Sequence, residues 1–174
     1  MAESPWPRLG WSHVPNKTLT REQVLTLLAE TPTRIAELTS SLSRDQLRAP
    51  PGPKEWSAND VLAHIRACAD VWGDAMLTII AGDQPVLRAT NPLTWITKTN
   101  YPDLDFRRSF GAFASQRSEL LPVLERLPRE GWSRTITVTG AGSLLVRDVL
   151  FYGRWMAGHE RTHVRQVARI VASV

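Results

Sequence analysis

Apolar residues recur every three or four positions in four separate stretches of the chain, which is the spacing of one face of an α-helix. Thr20 with Gln23 fits a capping box before the first stretch, and Ser57 with Asp60 fits one before the second. The first apolar face consists of Val24, Leu27, Leu28, Ile35, Leu38 and Leu42, and the second of Val61, Ile65, Cys68, Trp72, Met76 and Ile79. The third consists of Phe106, Phe110, Phe113, Leu120, Leu121 and Leu124. The fourth consists of Leu145, Val149, Tyr152, Met156, His159, His163, Val167 and Ile170.

Helix-breaking and capping residues mark the ends of these stretches. Pro32 lies inside the first one, where we expect it to kink the helix or to split it in two. Gly82 ends the second stretch, and the third begins shortly after Pro102. Ser143 is expected to cap the fourth helix, which then continues to the C-terminus.

The connections between the stretches complete the predicted fold. Residues 83–102 form a long proline-containing connection with a short helix around 93–97, and residues 131–142 alternate as in a strand. The pattern therefore predicts an all-α fold, a four-helix bundle with a long connection between helices 2 and 3 and a short strand-like segment before helix 4. We expect residues 20–174 to form this domain and residues 1–19 an extended N-terminal arm.

Composition narrows the class of protein. A chain of 174 residues with 43% apolar residues suits a single domain, and its one cysteine cannot form an intrachain disulfide. The start of the chain lacks the basic and apolar segments of a signal peptide, so we expect a cytoplasmic protein with no membrane partner. A net charge of +4 without any basic block argues against nucleic acid as a partner.

Three histidines fall where a helical bundle brings side chains together. His159 and His163 are four residues apart and share one helix face, and His64 lies on the inner side of the second helix. One inward histidine is usually a core residue with satisfied hydrogen bonds. Three of them are expensive to bury unless they share a partner, and a divalent metal ion is such a partner. Three protein ligands also leave a coordination position open, as in catalytic sites.

The segment from His159 to His163 also matches the His-Glu-x-x-His motif of zinc proteases. Those enzymes take a third ligand from further along the chain. Only eleven residues follow His163, and none of them is Asp, Glu, His or Cys, so the protease interpretation is rejected. Glu160 is then expected to be either a surface ion-pair partner or a group that supports a metal ligand.

Three further residues are candidates for the surroundings of the metal. Cys68 lies one turn after His64 and is a fourth ligand, a thiol beside the metal or a small core residue, and we favour the core residue. Tyr152 lines a pocket or packs with its hydroxyl satisfied. Gln166 follows His163 by three residues and can hydrogen-bond either its ring or a neighbouring backbone group.

The order and spacing of these motifs resemble the DinB-like superfamily over about residues 20–173. The matching pieces are Trp56-Ser57-x-x-Asp60-Val61-Leu62-x-His64, the Gly131-Trp132-Ser133 turn and His159-Glu160-x-x-His163-x-x-Gln166. The resemblance implies a divalent-metal site made by His64, His159 and His163, and a homodimer. The family often has Asp at the position of Glu160. Its characterised members include transferases and isomerases that use mycothiol, bacillithiol or glutathione.

We therefore expect a metal-dependent transferase or isomerase that activates a low-molecular-weight thiol, or a water, against a small-molecule substrate. Zn is the metal expected first, with Ni or Fe as alternatives, because three imidazoles suit each of them. Two alternatives stay open: a metal-dependent hydrolase, and a non-catalytic metal-binding protein of the stress response. A DNA-binding module ranks last. The sequence identifies no catalytic general base.

Overall fold

The computed structural model describes residues 18–173, so most of the predicted N-terminal arm, including His13, lies outside the described residues. The elements in chain order are helix α1 (Arg21–Thr39), helix α2 (Arg44–Arg48), helix α3 (Ala58–Ala81), strand β1 (Val86–Arg88), helix α4 (Pro92–Ile96), helix α5 (Phe106–Arg126), strand β2 (Thr135–Ala141), strand β3 (Ser143–Asp148) and helix α6 (Val149–Val171). Short 3-10 turns at Tyr101–Asp103 and Arg129–Ser133 precede α5 and β2. Among these elements no helix is both long and apolar enough to cross a lipid bilayer.

The four long helices form the predicted bundle. Helices α1 and α3 both pack against α6, and both also contact α5, so the order around the bundle is α1, α6, α3, α5. The capping boxes of Thr20 with Gln23 and of Ser57 with Asp60 are both present, which confirms where α1 and α3 begin. This arrangement places α3 face to face with α6, and these are the two helices that carry the three candidate ligands.

Helix α1 passes through Pro32 as a single helix, so the predicted split is wrong. Proline has no N–H to donate to the carbonyl four residues earlier, which in this helix belongs to Leu28. Nη1 of Arg117, on α5, donates to that carbonyl oxygen at 2.8 Å. The neighbouring helix thus supplies the hydrogen bond that Pro32 removes, and the Leu28 carbonyl is satisfied inside the bundle.

The start of the fourth helix was also predicted incorrectly. Helix α6 begins at Val149, and its cap is Asp148, whose side chain accepts from the N–H of Phe151 at 2.6 Å. Ser143 instead opens strand β3, which pairs antiparallel with β2. Gly140 and Gly142 have φ of 78° and 95°, a conformation that favours glycine and lets the chain reverse between the two strands.

The strand-like segment is part of a three-stranded sheet in the order β1-β2-β3, with β1 parallel to β2. Ile136 and Val138 on β2 are buried against the bundle, whereas Val86 and Val146 on the other face are exposed. The long connection between the second and third long helices therefore contributes β1 as well as the predicted short helix, α4. The sheet covers one end of the bundle and extends its core.

The apolar core has two main clusters stacked along the bundle. One is built around Trp72, Met76 and Met156 near the sheet. The other is built around Ile65, Phe113 and Val167. On α6, His159 and His163 lie in sequence between residues of the first cluster and Val167 of the second. On α3, His64 lies beside Ile65 of the second cluster, one turn before Cys68 of the first. The histidines therefore lie near the place where the two clusters meet.

Candidate metal centre

The facing helices α3 and α6 bring the ring nitrogens of three histidines together. Nε2 of His159 lies 3.2 Å from Nε2 of His64 and 3.2 Å from Nε2 of His163. The side chains of His64 and His159 are 1% and 7% exposed, so water is largely kept from this contact. The predicted convergence of the three rings is therefore what the structure shows.

Three Nε2 atoms at these distances cannot satisfy one another with protons. Nδ1 of His163 donates to Oε1 of Gln166 at 2.8 Å, so a neutral His163 presents a bare lone pair at Nε2. A proton on Nε2 of His159 can point at only one of its two neighbours. If Nε2 of His64 carries the proton instead and donates it to Nε2 of His159, the Nε2 atoms of His159 and His163 face each other with a lone pair on each and no proton between them. A bound cation accepts all three lone pairs at once, which is why this nitrogen set fits a metal.

Burial keeps these rings in the neutral form that binds metals. Removal from water, and to a smaller extent the neighbouring histidines, lower the pKa of His64 to about 3 and that of His159 to about 2. Burial also lowers the pKa of His163, although its hydrogen bond to Gln166 opposes this shift. At neutral pH the three lone pairs are therefore not occupied by protons that a metal would have to displace.

Gln166 is expected to set both the tautomer and the orientation of His163 through its 2.8 Å hydrogen bond. We predict that Gln166→Ala lowers metal affinity about 10–100-fold, the usual effect of losing a partner of a metal-bound ring. Competition with a chromogenic chelator measures it. Gln166→Glu keeps an acceptor and should retain most of the affinity, and Arg165→Ala, at an exposed neighbouring position, should retain all of it. Equal affinities in Gln166→Ala and Arg165→Ala would contradict this role.

Tryptophan rings enclose the histidines. Trp56 stacks on His163 at 6.0 Å between ring centroids with an angle of 9° between the planes, and it meets His64 at 5.1 Å. Trp72 meets His159 edge to face at 5.0 Å, and Trp155 stacks on Trp72 at 5.2 Å. Sequence analysis names Trp56 only as the first residue of the family motif that ends at His64. Its position directly before the cap of the helix that carries His64 was the available signal for a role in the site.

Cys68 lies at the same junction. Its Sγ is 3.7 Å from Nε2 of His64, and ligand atoms of His64, Cys68 and His159 all lie within 4.8 Å of one another. His163 joins this group through its 3.2 Å contact with His159. Burial raises the pKa of the Cys68 thiol well above its usual range, and the charges of Glu160 and Asp70 act in the same direction. The side chain therefore lies against the histidines as well as among apolar residues.

Glu160 is an ion-pair partner, but it is buried and not at the surface. Its carboxylate accepts two hydrogen bonds from Arg117, at 2.6 Å and 3.0 Å, and the two side chains are 0% and 3% exposed. A carboxylate held in this way is not available as a general base. Sequence analysis missed Arg117, although it occupies the apolar face of the third helix between Phe113 and Leu120. A charged residue at such a position was the signal for a buried partner.

Tyr152 packs in the core. It is 4% exposed, meets Phe151 edge to face at 5.5 Å between ring centroids, and belongs to the apolar cluster near the sheet. Burial raises the pKa of its hydroxyl. Of its two predicted roles, these contacts support packing.

Comparison with known proteins places the chain in a family. The family model for the DinB superfamily matches residues 27–167. Among solved structures, the chain is similar to YfiT from Bacillus subtilis, described as a probable metal-dependent hydrolase with an unusual four-helix bundle topology. The TM-score is 0.75 at 12% sequence identity, and the match covers 91% of each chain. No functionally curated protein matches the sequence.

Proposed function

The chain belongs to the DinB superfamily, and from this premise we propose that it is a metal-dependent enzyme that activates a low-molecular-weight thiol for attack on a small electrophilic substrate. One observation carries the proposal. The imidazoles of His64 and His159, which are buried, and of His163, which is half-buried, direct Nε2 atoms at one another, with 3.2 Å between His159 and each of the other two. This is a costly arrangement unless a cation lies between them.

His64, His159 and His163 are the proposed metal ligands, and Zn is the proposed metal, with Ni and Fe as alternatives. Imidazole suits all three metals, so elemental analysis of protein purified without added metal distinguishes them. When bound, the ion supplies positive charge that lowers the pKa of a coordinated thiol or water. The tryptophans around the rings limit water around that charge, and Gln166 holds His163 in the metal-binding tautomer.

The chain's own acid-base groups favour a thiol over a water as the nucleophile. The carboxylate adjacent in sequence to the ligands, Glu160, is held by Arg117 and cannot take up a proton from the nucleophile without breaking a buried ion pair. A thiol begins from a pKa of about 8.5 and needs little help to ionise beside a metal. Water begins from about 15.7 and gains more from a general base.

The test is a comparison of thiol transfer with hydrolysis by the same preparation. We expect the Zn-loaded protein to conjugate mycothiol, bacillithiol or glutathione to a chromogenic aryl halide, at a rate proportional to metal content. His159→Ala should lose this activity, and Thr162→Ala, at an exposed position on the same helix, should keep it. Turnover of ester or amide substrates without any thiol would instead identify a hydrolase, the class described as probable for YfiT. Bound metal without either activity would favour a non-catalytic metal-binding protein.

Two further expectations belong to the proposal. We propose a cytoplasmic location, with which the single cysteine, free and buried, is compatible. We propose a homodimer on the basis of the family resemblance. Exposed apolar residues on the outer face of the sheet, Val86, Leu144 and Val146, are 67%, 72% and 61% exposed and would be consistent with a protein contact.

A further inference from the structure

We propose that Cys68 is a fourth protein ligand of the metal, so that the resting site is a tetrahedral set of three histidines and one cysteine. This inference rests on the proposed metal site and goes beyond the expectation that Cys68 only packs in the core. It commits to Zn, because a thiolate added to imidazoles favours Zn over the harder ions Mg and Mn.

The distances between the side chains match the edges of such a site. Bonds of about 2.0–2.1 Å to nitrogen and about 2.3 Å to sulfur, at tetrahedral angles, place two nitrogens about 3.3 Å apart and a nitrogen and sulfur about 3.6 Å apart. The two nitrogen–nitrogen distances at His159 are each 3.2 Å. The distance from Nε2 of His64 to Sγ of Cys68 is 3.7 Å. These three distances fit one ion, and the ligand atoms of His64, Cys68 and His159 all lie within 4.8 Å of one another.

The positions of the four residues on their helices support the same set. His64 and Cys68 are four residues apart on α3, and His159 and His163 are four residues apart on α6. Residues at this spacing lie one above the other on the same helix face. Since α3 and α6 pack against each other, each helix presents one chelating pair to the other. A residue that only fills the core has no need to lie at this matched position.

The charge balance of a buried site points in the same direction. Three neutral imidazoles bring no negative charge to balance a divalent ion in a region where Cys68 is 0% exposed. The two carboxylates whose charges act on Cys68 have other partners: Glu160 is paired with Arg117, and Asp70 accepts hydrogen bonds from Trp95, Tyr101 and Gln116. Charge removed from water is costly unless it is paired. When Cys68 binds, a sulfur–metal bond forms, the S–H bond breaks and the proton passes to solvent, so the net charge of the site falls by one. A substrate that bound the ion would then need a fifth coordination position, which zinc permits.

X-ray absorption of the Zn-loaded full-length protein tests the proposal directly. We expect a first shell of three nitrogens and one sulfur, with sulfur at about 2.3 Å. The Co-substituted protein should show a thiolate-to-metal charge-transfer band in the near ultraviolet. Cys68→Ala and Cys68→Ser should lose that band. Their Zn affinity should fall by at least the roughly 10–100-fold that follows loss of a hydrogen-bond partner of a metal-bound ring.

Ala75→Gly is the matched control, because it alters a buried small residue on the same helix without removing a donor atom. It should keep the sulfur shell and the charge-transfer band. A wild-type first shell of nitrogen and oxygen only, at one metal per chain, overturns the role of Cys68 and leaves the three-histidine site intact. A wild-type protein that binds no metal overturns both. If the Cys68 variants fail to fold, the wild-type absorption spectrum still decides between these outcomes.

Discussion

Arg117→Ala is expected to lower the free energy of unfolding by about 3–5 kcal/mol, the usual effect of leaving one partner of a buried ion pair alone. Arg117 donates twice to Glu160 and once to the carbonyl of Leu28, so one substitution strands a buried carboxylate and a buried carbonyl oxygen. Because these contacts join α5 to both α6 and α1, their loss weakens the packing of three of the four long helices. Urea denaturation measures the effect as a fall in the midpoint at constant slope.

Two further variants distinguish the effect of this buried ion pair from that of an exposed salt bridge. Arg21→Ala removes an exposed ion pair with Glu22 and should leave the midpoint nearly unchanged. The double variant Arg117→Met, Glu160→Leu removes both charges and should recover much of the lost stability, since apolar residues of similar size often replace a buried pair without loss. A single Arg117→Ala variant as stable as Arg21→Ala would show that the pair does not hold the helices together.

The same arginine explains why the effect of Pro32 could not be predicted locally. From sequence, Pro32 removes a hydrogen bond within its own helix, and the expected outcome is a kink or a break. The compensating donor comes from a residue 89 positions away from Leu28 on a different helix. The pattern of the first helix contains nothing that indicates this contact. A hydrogen bond to a buried carbonyl from so distant a residue can be identified only in the assembled bundle.

The four long helices and the three histidines of the candidate site were accessible from the sequence because their signals are local. A capping box and a repeat of 3.6 residues are read within one turn or two, and the pair His159 and His163 depends only on helical spacing. His64 required one further step, its position on the apolar face of another amphipathic helix. The convergence of the three rings follows from packing those faces together.

The region before α6 shows where local reasoning fails. Ser143 is a good cap in isolation, and Leu145 and Val149 fit a helical spacing. The segment becomes a strand because β2 lies beside it, with Thr135 paired to Asp148 at one end. Strand formation depends on the partner more than on intrinsic preference. The polar residue that caps the helix is therefore Asp148, at the point where the pairing ends.

Removal of the metal is expected to lower the melting temperature of the wild-type protein by about 5–11 °C when the free ion had been present at 100 times its dissociation constant. A ligand that binds only the folded state at this concentration stabilises it by about 2.7 kcal/mol. For a chain of this size each kcal/mol corresponds to about 2–4 °C. Differential scanning fluorimetry with and without a chelator measures the difference.

His163→Ala should lose most of this response. His163 is one of three nitrogens at the site, and its Nε2 faces that of His159 at 3.2 Å. The substitution also removes the stack on Trp56 and the hydrogen bond to Gln166, so the metal-free variant should melt below the metal-free wild type. Each protein is therefore compared with its own chelated form, and the variant's melting temperature should change little when chelator is added. Thr162→Ala, one residue earlier and exposed, should respond to chelator as the wild type does. Equal responses in the wild type and His163→Ala would place the metal elsewhere and would remove the basis of the proposed chemistry.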